Sequence, residues 1–175
     1  MKSESEVVKV RRYDSPLGEL VLGTFGDKLC VCGWRVEKQR ERVDRRLMRM
    51  LKARIEEGTS EVIESAARQL DEYFAGKRKA FDIPLLFVGT DFQKKVWNGL
   101  LGIPYGTTIS YGELARRIGS PAAVRAVANA NGANAISIIA PCHRVIGSDH
   151  TLTGYGGGLD TKQNLLALEG IHLRK

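Results

Sequence analysis

Apolar and polar residues alternate along the first part of the chain in three short runs. These runs are Val7–Val10, Glu19–Thr24 and Lys28–Trp34, and the turn-forming sequences Ser15–Gly18 and Gly26–Asp27 separate them. Because strands joined by short turns pair with their neighbours, the pattern predicts a small antiparallel sheet near the N-terminus.

The hydrophobic period becomes helical between Val36 and Ile55. One face of this predicted helix carries the apolar residues Val43, Leu47, Met50 and Leu51. Arginines cover the other faces, but acidic residues lie among them, so a solvated surface explains the charge better than a nucleic-acid patch. A second helix is expected after Gly58-Thr59, with Ser60 as its N-cap and Gly76 at its end, and both helices should pack on the sheet.

An extended basic segment follows the second helix and leads through Pro84 to a new helical pattern. Thr90 and Gln93 have the spacing of a capping box, which marks the start of the next helix. We therefore divide the chain into an N-terminal domain over residues 1–86 and a C-terminal domain over residues 87–175.

Two short helices joined by a tight turn are predicted in the second domain. Ser110 and Glu113 form another capping box that opens a helix ending at Ile118, and Pro121 suits the first position of a helix running to about Ala130. Such a pair is typical of a helix-turn-helix. The second helix is rich in alanine around Arg125, a composition that fits ordinary packing as well as close approach to a nucleic acid.

The stretch Ala135–Ile139 has the β-branched content of a short buried strand, which Pro141 would end. A thiol and an imidazole follow directly, at Cys142 and His143. Cysteine reacts as the thiolate, so a neighbouring base, positive charge or hydrogen-bond donor must make that form accessible, and His143 and Arg144 are candidates. A buried structural cysteine beside a surface histidine is the alternative interpretation.

The last predicted helix has Asp160 as its N-cap and Gly170 as its stop. Glu169 lies in its final turn, where a carboxylate is unfavourable because the helix dipole places partial negative charge there. A compensating partner is expected, and His143 is the candidate. The sequence thus predicts a relay in which Glu169 supports an imidazolium at His143, and His143 withdraws the proton of Cys142 directly or through a water.

Composition narrows the function classes. The 175 residues carry a formal net charge of +7, which favours polyanionic partners. No apolar run is long enough to span a bilayer, and the polar first residues lack the apolar core of a secretory signal, so an intracellular protein is expected. The other two cysteines, Cys30 and Cys32, are expected to lie buried in a strand, and neither a disulfide framework nor a metal site is predicted.

Several ordered motifs of the second half resemble those of the O6-alkylguanine-DNA alkyltransferases, also called methylated-DNA–protein-cysteine methyltransferases. The matching segments are Ile103–Gly106, Ile109–Tyr111, Arg125–Val127, Pro141–Val145 and Gly154–Leu159, with a thinner match at Ser15–Gly18 and Tyr73–Gly76. The resemblance implies a two-domain α/β fold, with a ribonuclease-H-like N-terminal domain and a mainly α C-terminal domain. It implies DNA repair in a single turnover, in which Cys142 irreversibly takes the alkyl group from O6 of guanine; O4 of thymine is left open as a second substrate.

The resemblance also assigns roles in base recognition. Arg125 would enter the minor groove with its helix and fill the space left by an extruded base. Tyr111 would donate a hydrogen bond to N3 of guanine, and a backbone N–H near Gly156 would reach O6.

Other residues would shape the pocket. The main-chain carbonyls of Cys142 and Val145 would recognise the exocyclic amine, while Tyr155 and Gly157 would belong to the pocket wall, although a packed core tyrosine is an equal alternative for Tyr155. Asn134 is expected to hydrogen-bond local backbone, a structural role; the family usually has proline where this chain has Ala135.

The partner implied is double-stranded DNA containing O6-alkylguanine, with no metal or organic cofactor. A monomer in the cytoplasm is expected, associated with the nucleoid if the cell is prokaryotic. Two other classes remain open from the residues alone. A cysteine hydrolase would use the same thiol and imidazole, and a non-catalytic DNA-binding regulator would use the helix-turn-helix.

Overall fold

The computed structural model describes residues 6–149, 155 and 157–173, and it divides into two compact units that meet in sequence between Gly89 and Thr90. Unit 1 contains a four-stranded sheet formed by β1 (Val7–Ser15), β2 (Gly18–Phe25), β3 (Lys28–Trp34) and β4 (Arg54–Glu57), in the order β3-β2-β1-β4. The antiparallel pairing of β1 with β2 and of β2 with β3 confirms the antiparallel sheet predicted for these three strands. The added strand β4 runs parallel to β1, so the sheet is mixed rather than wholly antiparallel.

Strand β4 occupies residues that the hydrophobic period assigned to the first helix. That helix, α1 (Glu37–Leu51), ends because Lys52 takes a left-handed conformation with φ 51° and bonds its N–H to the carbonyl of Met48. The next residues pair with the start of β1, with Ile55 opposite Val8. The prediction of one helix from Val36 to Ile55 is therefore wrong at its end. The spacing of apolar residues within this segment carries no information about its pairing with β1, which is distant in the sequence.

The second helix, α2 (Glu61–Phe74), begins as predicted: the Ser60 hydroxyl accepts a hydrogen bond from the backbone N–H of Ile63 at 3.2 Å. Its buried face packs on the sheet and consists of Ile63, Ala66, Ala67, Gln69, Leu70 and Tyr73. On the sheet, Cys30 and Cys32 are buried within β3, which confirms their expected place among interior residues.

Unit 2 contains four helices and a pair of two-residue strands among its described residues. The helices are α3 (Asp91–Leu100), α4 (Tyr111–Arg117), α5 (Val124–Gly132) and α6 (Leu159–Leu168), and the strands are β5 (Ile109–Ser110) and β6 (Val145–Ile146). The predicted capping box of α3 is present in both directions between Thr90 and Gln93. At α4 only the Ser110 half of the predicted box forms, because the Glu113 carboxylate binds Arg116 and Arg117 instead.

Helices α4 and α5 form the helix-turn-helix, with Gly119 at φ 78° in the turn between them. Helix α5 begins at Val124 rather than at Pro121, since residues 121 and 122 still belong to the turn. One side of α5 is anchored: Val127 and Ala130 are buried, and the indole N–H of Trp97 donates to the carbonyl of Ala130 at 2.8 Å. Val124, Arg125 and Ala126, in the first turn of α5, are exposed.

The stretch Ala135–Ile139 is buried, but it is a series of turns and not the predicted strand. Ile138 has a positive φ of 68°, which is incompatible with a strand. The side chain of Asn134 holds these turns by accepting from the N–H of Ile136 and donating to the carbonyls of Ile136 and Ala140, each at 3.0 Å. Burial explains why β-branched residues are common in this stretch. The side chain of Asn134 satisfies backbone groups that would pair with a neighbouring strand if the stretch were a strand.

None of the helices among residues 6–149 and 157–173 is long and apolar enough to cross a membrane. Within the same residues, no three His, Cys, Asp or Glu side chains lie close enough together to hold a metal ion.

Candidate active site

The candidate nucleophile lies in a short bridge between the Asn134-held turns and the small β5–β6 pair. Cys142, His143 and Arg144 form one turn of 3₁₀ helix after Pro141 and lead directly into β6. Strand β6 pairs with β5, where Ile109 faces Val145 and Ser110 faces Ile146. Since β5 runs straight into α4, this pairing ties the start of α4, with Tyr111, to the segment that carries Cys142.

The carboxylate of Glu169 is fully buried and organises the groups around it. Its Oε2 lies 2.7 Å from Nε2 of His143, so the contact expected from the sequence is confirmed. Arg144 donates to both oxygens, from Nε to Oε1 at 2.8 Å and from Nη2 to Oε2 at 3.1 Å. The N–H of Gly106 donates to Oε1 at 3.0 Å. The carboxylate therefore receives four hydrogen bonds, which offset much of the cost of burying its charge.

The Ile103–Gly106 turn completes this buried group. Arg144 donates from Nη1 to the carbonyl of Ile103 at 2.7 Å, and its guanidinium carbon lies 5.7 Å from the ring centre of Tyr105. Gly106 has φ 75°, and a Cβ at this position would lie 3.3 Å from the main-chain oxygen of Glu169. The turn thus binds the end of α6 by its backbone as well as through Arg144.

Arg144 changes the electrostatics that the sequence predicted. It was a candidate to act on the thiol, but its guanidinium is committed to Glu169 and neutralises that carboxylate. Burial lowers the pKa of His143; Glu169 acts to raise it, while Arg144 and Lys162 add to the lowering. The structure therefore favours a neutral imidazole over the imidazolium expected from the sequence.

The neutral ring has a defined orientation. Because Nε2 faces a carboxylate, Nε2 carries the ring hydrogen, and Nδ1 is left as a hydrogen-bond acceptor. Nδ1 is buried and has no hydrogen-bond partner among the residues that the structure describes. A buried acceptor of this kind is available to take a proton from a nearby group, directly or through a water.

The Cys142 thiol is buried, and burial raises its pKa because the thiolate loses solvation. Three neighbours oppose that effect: a hydrogen bond from Asn134, the charge of Lys162 and a hydrogen bond from Ser137. Cys142 is therefore a protonated thiol in the unreacted protein, and its neighbours stabilise the thiolate once the proton is lost.

Lys162 is a site residue that the sequence reasoning missed. It is completely buried in α6; its Nζ donates to the carbonyl of Val145 at 2.7 Å and lies 6.0 Å from the ring centre of Tyr111. Burial lowers the pKa of Lys162 to about 8, and Cys142 acts to raise it. The sequence held a signal for it, because Lys162, Leu165, Leu166 and Glu169 recur at helical spacing on one face.

The structure brings together some predicted residues and leaves others apart. Cys142, His143, Glu169, Val145, Tyr111 and Asn134 belong to one connected group through the contacts above. The main-chain carbonyls of Cys142 and Val145, which were expected to recognise the exocyclic amine of guanine, already accept hydrogen bonds within the protein. The side-chain amide of Asn131 donates to the carbonyl of Cys142 at 3.4 Å, and Lys162 donates to that of Val145.

Arg125 is exposed on α5. Tyr155 and Gly157 are half-buried, and the carbonyl of Tyr155 accepts from the N–H of Gly158 at 2.9 Å. Gly156, the expected donor to O6, lies outside the described residues.

Comparison with known proteins gives matches to both units. The model of the DNA-binding domain of 6-O-methylguanine DNA methyltransferase matches residues 91–171, and the model of its ribonuclease-like domain matches residues 8–87. A methylated-DNA–protein-cysteine methyltransferase of Mycobacterium bovis is 44% identical over 93% of this chain and 93% of its own length. A protein of the same name from Methanosarcina acetivorans is 58% identical over 63% of this chain and 70% of its own length.

Solved structures of proteins with related names are similar to this fold. The crystal structure of Mycobacterium tuberculosis OGT in complex with DNA superposes with a TM-score of 0.77 at 44% sequence identity, covering 93% of this chain and 92% of that chain.

Proposed function

The chain belongs to the 6-O-methylguanine DNA methyltransferase family, and we propose that Cys142 is the residue to which it transfers the alkyl group of a damaged guanine. The protein is a methylated-DNA–protein-cysteine methyltransferase that repairs DNA by direct alkyl transfer. Double-stranded DNA with O6-alkylguanine is its substrate, and the helix-turn-helix of unit 2 is the element proposed to bind it.

One observation carries the assignment of the nucleophile. Cys142 directly precedes His143, whose imidazole is paired with the buried carboxylate of Glu169. Asn134, Lys162 and Ser137 all act to lower the pKa of its thiol. Cys30 lies in the sheet of unit 1, where burial raises the pKa of its thiol to about 12. A thiol with that pKa stays protonated and unreactive near neutral pH.

The first step we propose is loss of the thiol proton to His143. The imidazole accepts it at Nδ1 while its Nε2–H remains bonded to Glu169, which keeps the ring in one tautomer and orientation. The proton passes directly or through a water. His143 then acts as a general base, and Glu169 and Arg144 act on it as positioning residues.

The second step is displacement at the alkyl carbon. The Cys142 sulfur forms a bond to this carbon, the bond from the carbon to O6 breaks, and the electron pair stays with guanine. The departing base needs a proton or a hydrogen-bond donor, and Tyr111 is the phenol proposed to supply it at N3. A thioether is not readily hydrolysed, so each chain should react once.

Mass spectrometry tests the proposed function. After incubation with duplex DNA containing O6-methylguanine, the intact chain is expected to gain one methyl group, and peptide mapping is expected to place it on Cys142. Many turnovers per chain would favour a cysteine hydrolase instead. DNA binding without any adduct would favour a non-catalytic regulator, and an adduct on Cys30 or Cys32 would refute the assignment of the nucleophile.

Arg125 is proposed to hold the duplex open after base extrusion. Arg125→Ala is expected to slow repair of duplex DNA by about tenfold or more, since extrusion of a paired base costs a few kcal/mol that an inserted side chain offsets. Reaction with the free base O6-benzylguanine should change little, because no base pair is opened.

The matched control for Arg125 is Arg116→Ala on α4. Arg116 is also exposed in the helix-turn-helix, but its guanidinium is paired with Glu113. Single-turnover rates on both substrates are measured for both variants. Equal losses on duplex and free base would mean that Arg125 has no part in opening the duplex.

We also propose that the protein works as a monomer in the cytoplasm, associated with the nucleoid in a prokaryotic cell. The formal net charge of +7 supports an association with the polyanionic nucleoid.

A further inference from the structure

We infer that one face of α1 in unit 1 is a second contact surface for duplex DNA, in addition to the helix-turn-helix of unit 2. Its cationic side chains, which we call the α1 stripe, bind phosphates of the DNA backbone without reading the base sequence. The stripe consists of Lys38, Arg42, Arg45 and Arg49. The inference rests on the proposed function, because it takes duplex DNA as the partner of the protein.

The side chains of the α1 stripe share one face because of their spacing. They follow one another at intervals of four, three and four residues. An α-helix turns by roughly 100° per residue, so they fall within an arc of roughly 60°. All of them are exposed, whereas Val43 and Leu47 are buried on the opposite face, where α1 packs on the sheet. The stripe therefore faces solvent along about 16 Å of the helix.

The acidic residues of α1 do not neutralise the stripe. Asp44 lies about a third of a turn away from it and pairs with Arg40 at 2.9 Å. Glu41 borders the stripe and lies 3.7 Å from Arg45, but both side chains are more than half exposed, so solvent screens this pair. The other three members of the stripe form no ion pair with the side chains that the structure describes. The acidic residues that alternate with arginines in the sequence are thus placed beside the stripe or away from it.

The arrangement is unfavourable for the helix alone. Neighbouring members of the stripe are three or four residues apart, which is the spacing at which like charges on a helix repel each other. The same repulsion reaches Arg46: burial lowers the pKa of this side chain, and the nearby charge of Arg49 lowers it further. A polyanion that lies along the stripe removes this repulsion, because its negative charges alternate with the cations.

Duplex DNA is the polyanion that fits this surface. Each strand carries a phosphate about every 3.4 Å along the duplex axis, so the length of the stripe corresponds to about five phosphates of one strand. Contacts of lysine and arginine with phosphates release counterions and supply affinity for any sequence. DNA is also what the family of this chain acts on, so the partner is already present when the protein works.

The test measures the affinity for undamaged duplex DNA at several salt concentrations by fluorescence anisotropy, so that alkyl transfer does not enter. A triple variant with Lys38→Gln, Arg42→Gln and Arg49→Gln removes three cations of the stripe. Its affinity is expected to fall about tenfold or more at low salt. The slope of log affinity against log salt concentration should become shallower by about 2, since each lost phosphate contact contributes about 0.9.

The matched control neutralises three exposed cations elsewhere in unit 1, with Lys28→Gln, Arg68→Gln and Lys77→Gln. Both triple variants lower the formal net charge of +7 by the same three units, but the control is expected to keep the salt slope of the parent. Both should react with O6-benzylguanine at the rate of the parent, which shows that unit 2 is intact. Equal losses of affinity in the two variants would overturn the inference. So would an unchanged slope in the stripe variant, a result that would favour an acidic protein as the partner of α1.

A measurement on the unaltered chain covers the case in which the stripe variant does not fold. Lysines are acetylated with an N-hydroxysuccinimide ester, with and without an excess of duplex DNA, and the products are quantified by mass spectrometry. DNA is expected to slow the acetylation of Lys38 several-fold and to leave that of Lys28 and Lys77 unchanged. Equal acetylation of Lys38 in both conditions would refute the α1 surface alone, whereas a chain that accepts no methyl group from damaged duplex would refute the proposed function.

Discussion

Cys142→Ala is expected to abolish alkyl transfer, from one methyl group per chain to none, while duplex DNA is still bound. The thiol is the only atom that accepts the alkyl carbon in the proposed reaction, and no neighbouring group substitutes for a sulfur nucleophile. The fold should persist, because alanine leaves only a small cavity at this position. Binding should persist because it is assigned to the helix-turn-helix, whose exposed face does not include Cys142.

The readouts are the mass of the intact chain after reaction and the fluorescence anisotropy of labelled duplex. Cys32→Ala is the matched control, since Cys32 is as deeply buried but lies in β3 of unit 1. It should transfer the alkyl group as the parent does. Methylated product from Cys142→Ala, or loss of transfer in Cys32→Ala, would contradict the assignment.

Glu169→Gln is expected to destabilise unit 2 by about 3 kcal/mol, because it leaves the buried guanidinium of Arg144 without its counter-charge. The amide keeps the size of the side chain, but it accepts at one oxygen only, whereas the carboxylate receives hydrogen bonds at both. The hydrogen bond that orients His143 is weakened at the same time. Slower alkyl transfer should therefore accompany the loss of stability, and urea denaturation measures the latter.

Glu113→Gln provides the contrast. Glu113 also binds two arginines, Arg116 and Arg117, but all three side chains are exposed, and solvent screens their charges. No measurable change in the urea midpoint is expected for it.

Arg144→Met in the Glu169→Gln background tests the mechanism of the destabilisation. If the stranded charge of Arg144 is the cause, the double variant should lose much less than the sum of the two single losses. Additive losses, or equal effects of Glu169→Gln and Glu113→Gln, would mean that the buried ion pair is not the source of the stability.

The sequence by itself determined the features whose signals are local. The strands β1 to β3, the Ser60 cap and the Thr90 capping box follow from patterns within a few residues, because turns and caps are formed by adjacent backbone and side chains. The contact between Glu169 and His143 was also accessible from the sequence, since a carboxylate at a helix C-terminus needs a cation or donor and few candidates exist.

The tertiary structure decided what depends on residues distant in the chain. Strand β4 exists because β1 offers it a parallel edge, and the turns at Ala135–Ile139 exist because Asn134 satisfies their backbone; neither partner is visible in a hydrophobic period. Burial had the greatest effect at the site. An arginine and a lysine that the sequence would place in solvent are buried there. Arg144 pairs with Glu169, and Lys162 donates to the carbonyl of Val145. These contacts matter because charges interact strongly only after water is excluded.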